Sequence, residues 1–124
     1  MSTASNRDAQ FTAEVYWRVR ERELIRKLEL VKQGVDKCEA ARKVLYNLSE
    51  TVKIHEPLWE DAQAAAMASL RSTRTNRAAL RRMVVNMKDT IRIRPTYAAA
   101  IGPKTVELLD TASRLCDYLD AHGY

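Results

Sequence analysis

From residue 24 to residue 52 the apolar side chains fall at Leu24, Leu28, Val31, Val35, Cys38, Leu45 and Val52, with Arg42 and Ser49 at the two intermediate places of one 4-3-4-3 alternation. That spacing keeps a single stripe turned toward a partner along a helix, and it predicts a long helix with coiled-coil packing over about residues 10–55. Around the stripe, "WRVRERELIRKLELVKQG" alternates both signs of charge, as a solvated helix face does. Glu23 and Lys27 stand four apart in the favourable order. Gly34 costs a helix interior roughly 1 kcal/mol, too little to end so regular a pattern. The helix would be roughly 60 Å long, which is much for a chain of 124 residues.

The pattern breaks at "KIHEPLWEDAQ". Proline is at home in the first turn of a helix, so Pro57 starts a second helix and the first ends near His55. Glu60 and Asp61 suit the positive end of that new helix. Its first half, "AQAAAMASL", has strong helix propensity and little bulk. Its second half carries Leu80, Val84, Met87 and Ile91 at 4-3-4 spacing, a packing stripe. Arg94 before Pro95 ends it at about residue 93. Residues 94–102 read as a connecting loop with an apolar surface, on which Tyr97 and Ile101 are contact positions. Gly102 and Pro103 then start a third helix over 103–121, with Val106, Leu109, Ala112, Cys116 and Leu119 on its inner face. Residues 1–9 read as a flexible N-terminus, and "DAHGY" as a fraying tail with His122 and Tyr124 exposed. The expected fold is therefore all-α: a long antiparallel helical hairpin, coiled-coil-like, with a shorter third helix, in one domain spanning 10–121. The first helix outruns the third, so part of its stripe near Trp17 or Leu24 to Leu28 is expected to meet another molecule.

Composition agrees with this reading. Gly and Pro number three each, too few for a many-turned β fold. No run approaches the ~20 apolar residues of a membrane span. "MSTASNRDAQF" lacks the apolar core of a secretion signal. Cys38 and Cys116 lie on helical stripes in no metal-ligand spacing. They read as buried thiols of a cytoplasmic protein, with an interhelical disulfide as the alternative.

Charge is local. The net +5 of the chain is concentrated in residues 61–94, with eight basic and two acidic side chains, whereas residues 95–124 hold two basic and four acidic ones. At 100° per residue Arg74, Arg77, Arg81, Lys88 and Arg92 share a sector of about 60°, a stripe some ~25 Å long. It suits an acidic protein surface or a phosphate backbone, or it covers the adjoining packing face and pairs with glutamates of the first helix. The scarcity of aromatic residues and the lack of a helix-turn-helix or zinc pattern favour protein over nucleic acid. Phe11 and Val15 are four apart, and Tyr16–Trp17 adjoins "RVRER". These read as interface anchors, or as packing on the end of the third helix.

No catalytic or phosphate-binding motif occurs, and both histidines sit at segment ends. Glu107 with Asp110 and Asp117 with Asp120 lack the accompanying Glu-x-x-His of a di-metal site. No enzyme activity, cofactor, metal or small-molecule substrate is expected. The protein-binding candidates are Phe11, Trp17, Leu24, Leu28 and Tyr97, and the anion or acidic-partner candidates are Arg74, Arg77, Arg81, Lys88 and Arg92.

The run "ARKVLYNLSETVKIHEPLWEDAQAAAMASLRSTR", residues 41–74, resembles a recurrent block of the tektin family through Pro57, Leu58, Ala62, Gln63, Leu70 and Arg74, and "NRDAQ" at 6–10 is similar to another short piece of it. The resemblance implies a coiled-coil filament component of ciliary or flagellar doublet microtubules, without catalysis. The expected function is thus a helical structural or adaptor subunit acting through protein contacts or self-association, on a cytoskeletal or filament assembly. The alternative is a basic helical nucleic-acid-binding or packaging protein that uses the arginine stripe.

Overall fold

The computed structural model describes residues 3–50 and 56–124. Four helices follow one another: α1 (Thr3–Ser49), α2 (Glu56–Ile93), α3 (Pro95–Ala100) and α4 (Pro103–Ala121). Val52 and His55, and with them the predicted end of the first helix, lie outside the described residues. α1 and α2 run antiparallel as one long pair: Tyr16 meets Thr90 near one end, and Cys38 meets Thr73 further along. α4 returns beside them. It is antiparallel to α2, with Lys88 at Ser113 and Arg81 at Asp117, and parallel to α1, with Lys104 at Glu21 and Tyr124 at Arg42.

The predicted stripes form the core. Leu24, Leu28, Val31 and Cys38 of α1 are buried against Leu80, Val84 and Met87 of α2 and Leu109, Ala112, Cys116 and Leu119 of α4. One buried position deviates from the expected spacing. Val106 is 48% exposed and Thr105 takes its place, so α4 keeps a 4-3-4-3 order from its first turn. Gly34 serves close approach: a Cβ there would stand 2.6 Å from Thr73 Oγ1. Thr73 is fully buried and donates its hydroxyl to the Ser69 carbonyl at 2.8 Å, which leaves its oxygen to accept from the Cys38 thiol at 3.5 Å. Both cysteines are free and buried. Burial pushes the Cys116 thiol up, against the pull of Arg81 and Arg77.

Three segments differ from the reading of the sequence. Residues 3–9 are helical, where a flexible N-terminus is expected. They contain no helix breaker, and Ala9 and Thr12 lie beside the α2–α3 corner. The stretch 94–102 is helical over six of its residues rather than a loop. Arg94 is extended (φ −115°, ψ 97°) and ends α2, Pro95 opens a new helix, and Ala98 N–H donates to the Arg94 carbonyl at 2.9 Å. The extended pair Ile101–Gly102 repeats the break before Pro103. At the other end of α4, Tyr124 is buried rather than frayed. Gly123 adopts φ +80°, which glycine reaches without a Cβ clash, and the Tyr124 N–H then donates to the Leu119 carbonyl at 2.9 Å. This is the Schellman ending, and its hydrophobic contact carries the Tyr124 ring back into the core.

α4 ends level with Arg42 and Arg74. Past that level the molecule is two helices thick. No described residue after Cys38 on α1, or before Thr73 on α2, is fully buried.

Candidate functional site

Three of the predicted contact residues, Phe11, Trp17 and Tyr97, lie on the elements that meet at the α3 end of the bundle. Trp17 reaches inward from α1, is 3% exposed, and donates its Nε1–H to the Tyr97 carbonyl at 2.7 Å. Tyr16 lies edge-on to both Trp17 and Tyr97, with ring centroids 4.9 and 5.1 Å away. Its hydroxyl is 3.1 Å from Thr90 Oγ1. Thr90 already donates to the Asn86 carbonyl, so Tyr16 is the donor to Thr90. Guanidinium groups cover the outer rings: Arg20 stands 5.1 Å over Tyr16, and Arg94 5.1 Å over Tyr97. The chain direction at this corner is thereby fixed by aromatic packing and two hydrogen bonds.

Outside that corner lies a largely apolar cleft of about 440 Å3, between Ala9 and Thr12 of α1 and Ile93, Pro95 and Tyr97, with Arg94 at its edge. Ile93 is 62% exposed. On the outer face of α1, Phe11, Val15 and Val19 follow at intervals of four and are exposed, Phe11 to 62%. This end therefore presents apolar groups that the chain itself leaves uncovered.

The other predicted contact residues lie inside. Leu24 and Leu28, like Trp17, are core residues of this chain, and the expectation that this part of the stripe meets another molecule gives way. α4 and α3 cover it, because α4 begins level with Glu21 and α3 packs beside Trp17. Sequence spacing shows that such a stripe needs a cover, without saying which element supplies it.

The basic stripe meets α4 rather than the glutamates of α1. Arg77 pairs with Asp120. Arg81 divides between Asp117 at 3.2 Å and Asp120 at 2.5 Å. Arg74 donates to the Gly123 carbonyl and Lys88 to Ser113 Oγ, both at 3.1 Å. Among the described residues Arg92 pairs within its own helix, with Asp89 at 3.3 Å. Four of the five predicted cations thus contact α4 or its C-terminal cap. The signal was present in the sequence as the acidic balance of residues 95–124. Glu23 likewise takes Arg20 at 3.0 Å rather than Lys27.

Among the described residues no three metal-ligating side chains gather at one point, and no helix is long and apolar enough to cross a membrane. No protein-family model matches the chain, and no curated protein or solved structure matches it. The tektin resemblance therefore rests on the residues quoted for it. Of these, Leu58 is exposed, Leu70 packs against the core, and Arg74 is one of the cations that contact α4 or its cap.

Proposed function

We propose that this chain is a non-enzymatic helical adaptor or structural subunit that works by docking protein at the α3 end of its bundle. The observation that carries the reading is the uncovered apolar surface at that end: the cleft beside Ile93, Pro95 and Tyr97, and, on the outer face of α1, the exposed Phe11 and Val15. Large apolar anchors held without conformational freedom are what protein interfaces use at their centres. The occupant is a partner protein that inserts an apolar side chain beside Arg94. The resemblance of residues 41–74 to tektins is what points to a cytoskeletal filament as the assembly.

The test is capture of partners by the tagged full chain from cells that express it, identified by mass spectrometry. The double variant Phe11→Asp/Ile93→Asp is expected to lose the specific partners while keeping its helical circular dichroism. If it captures the same set, docking at this end is wrong. The nucleic-acid reading predicts steeply salt-dependent binding to duplex or single strands that falls when Arg74, Arg77 and Arg81 are neutralised. The engagement of these three side chains with α4 and its cap weighs against it.

A further inference from the structure

The arginines of α2 that face α4 are answered within the chain, whereas Arg82, on the other flank, has no ion pair among the described residues. On the first flank α4 brings Asp117 and Asp120 to Arg77 and Arg81. The second flank borders the seam between α1 and α2 on the side away from α4. Two consecutive clefts of about 240 and 350 Å3 lie along that seam, and neither is lined by a residue of α3 or α4. Lys27 and Arg82 stand at the first and Lys37 at the second. No ion pair engages these three among the described residues, and the acid at the groove, Glu23, is held by Arg20. On α2 the second cleft has small side chains, Ala68 and Ser72, which let another backbone come close, and the first has Ala79 with the apolar Met83 and Met87 beside it. On the α1 side Leu30 is 44% exposed over it.

We infer that this groove is a docking site for an acidic amphipathic helix of a partner protein. The charge complementarity already realised between α4 and the opposite flank shows what such a helix looks like: a narrow apolar face on the seam, with carboxylates at its edge reaching Arg82 of α2 and the lysines of α1. Residues 68–86 of α2 border the groove, a length of roughly 27 Å at 1.5 Å per residue, which matches a helix of about five turns. Its apolar face would lie on Leu30 and the alanines. Its carboxylates would meet Lys27 and Arg82 at one end and Lys37 about three turns away. Nucleic acid fits less well, because the groove offers no aromatic surface for a base.

The inference rests on the reading of the chain as a protein-binding module but uses a different surface, and the two can fail separately. The probe is a fluorescein-labelled 21-residue peptide with Leu at the first and fourth heptad positions and Glu at the flanking ones. Its controls are a scrambled peptide of the same composition and a version with Lys for Glu. Binding to the full chain is followed by fluorescence anisotropy. The amphipathic acidic peptide is expected to bind at least about tenfold tighter than the scrambled one, and the Lys version not at all. The double variant Lys27→Glu/Arg82→Glu should weaken binding at least about tenfold, whereas Lys104→Glu/Arg114→Glu, an equal charge change on exposed parts of α4, should leave it within about twofold. Phe11→Asp/Ile93→Asp should leave this binding unchanged, which separates the groove from the α3 end. In the unaltered chain, amide resonances of residues 27–37 and 68–86 should shift on titration, ahead of those of α4. Equal binding of the scrambled peptide would overturn the inference. So would equal loss in the two charge-reversed variants, or duplex DNA binding at the groove that the acidic peptide cannot match.

Discussion

At the scale of single residues, the tightest constraint is the contact of Gly34 with Thr73. In a solvated helix Gly→Ala gains about 1 kcal/mol from propensity. Here the added methyl would meet a hydroxyl at 2.6 Å whose hydrogen bond to Ser69 fixes its rotamer. Relieving the overlap means turning Thr73 in a full core or separating the helices, at about 1–3 kcal/mol. Gly34→Ala is therefore expected to lower stability in urea unfolding, by about 1 kcal/mol net. A gain in stability would show that the helices are further apart at this level. Thr73→Ala in the same chain should recover part of the loss, since neighbours in contact do not add. Gly123 is the other glycine with a conformational task, and it is one that explains why the final tyrosine is buried.

At the scale of elements, α4 is held by an apolar stripe and by ionic contacts at its C-terminal half. The apolar part dominates. Leu109, Cys116 and Leu119 are buried, whereas the Arg77, Arg81 and Asp120 side chains keep 23%, 41% and 43% of their surface in solvent. Solvent screens such pairs to about 0.2–1 kcal/mol each. Asp120→Asn, which removes the carboxylate shared by two arginines, is expected to destabilise by about 1 kcal/mol at low ionic strength, and by less in 1 M salt. An undiminished effect in high salt would mean that Asp120 acts through packing. This pairing was only half legible beforehand. The arginine stripe and the acidic last segment are both plain in the sequence. Which acids the arginines meet depends on the direction in which α4 returns, and Pro95 and Pro103 set that direction by making two breaks where a loop was expected. The aromatic residues show the same limit: Tyr16 and Trp17 serve equally as anchors for a partner or for the chain's own end, and the nearby α3 decides for the latter.

At the scale of the whole molecule, thickness changes along the hairpin. Next to α4 each long helix has two neighbours. Beyond Tyr124 each has one, and Leu45, Leu48, Trp59 and Leu70 are only half-buried. Local opening follows buried contact. Amide exchange measured by mass spectrometry should be markedly faster for residues 43–49 and 58–70 than for 76–90. Equal protection in both halves would mean that the thinner half is covered in solution by a second molecule, and its concentration dependence would identify self-association.

The sequence by itself determined where the three long helices form and, apart from the first turn of α4, which face of each is apolar. Both follow from local properties: the 3.6-residue period, the missing N–H of proline, and the alternation of charge. Only the tertiary structure decided what covers each face. A heptad stripe specifies that Trp17, Leu24 and Leu28 must be buried, but their partner is set by chain direction and by the lengths of α3 and α4. For the same reason it left the seam beside Leu30 and Arg82 open, and turned Arg77 and Arg81 from expected ligands of another molecule into supports of this one.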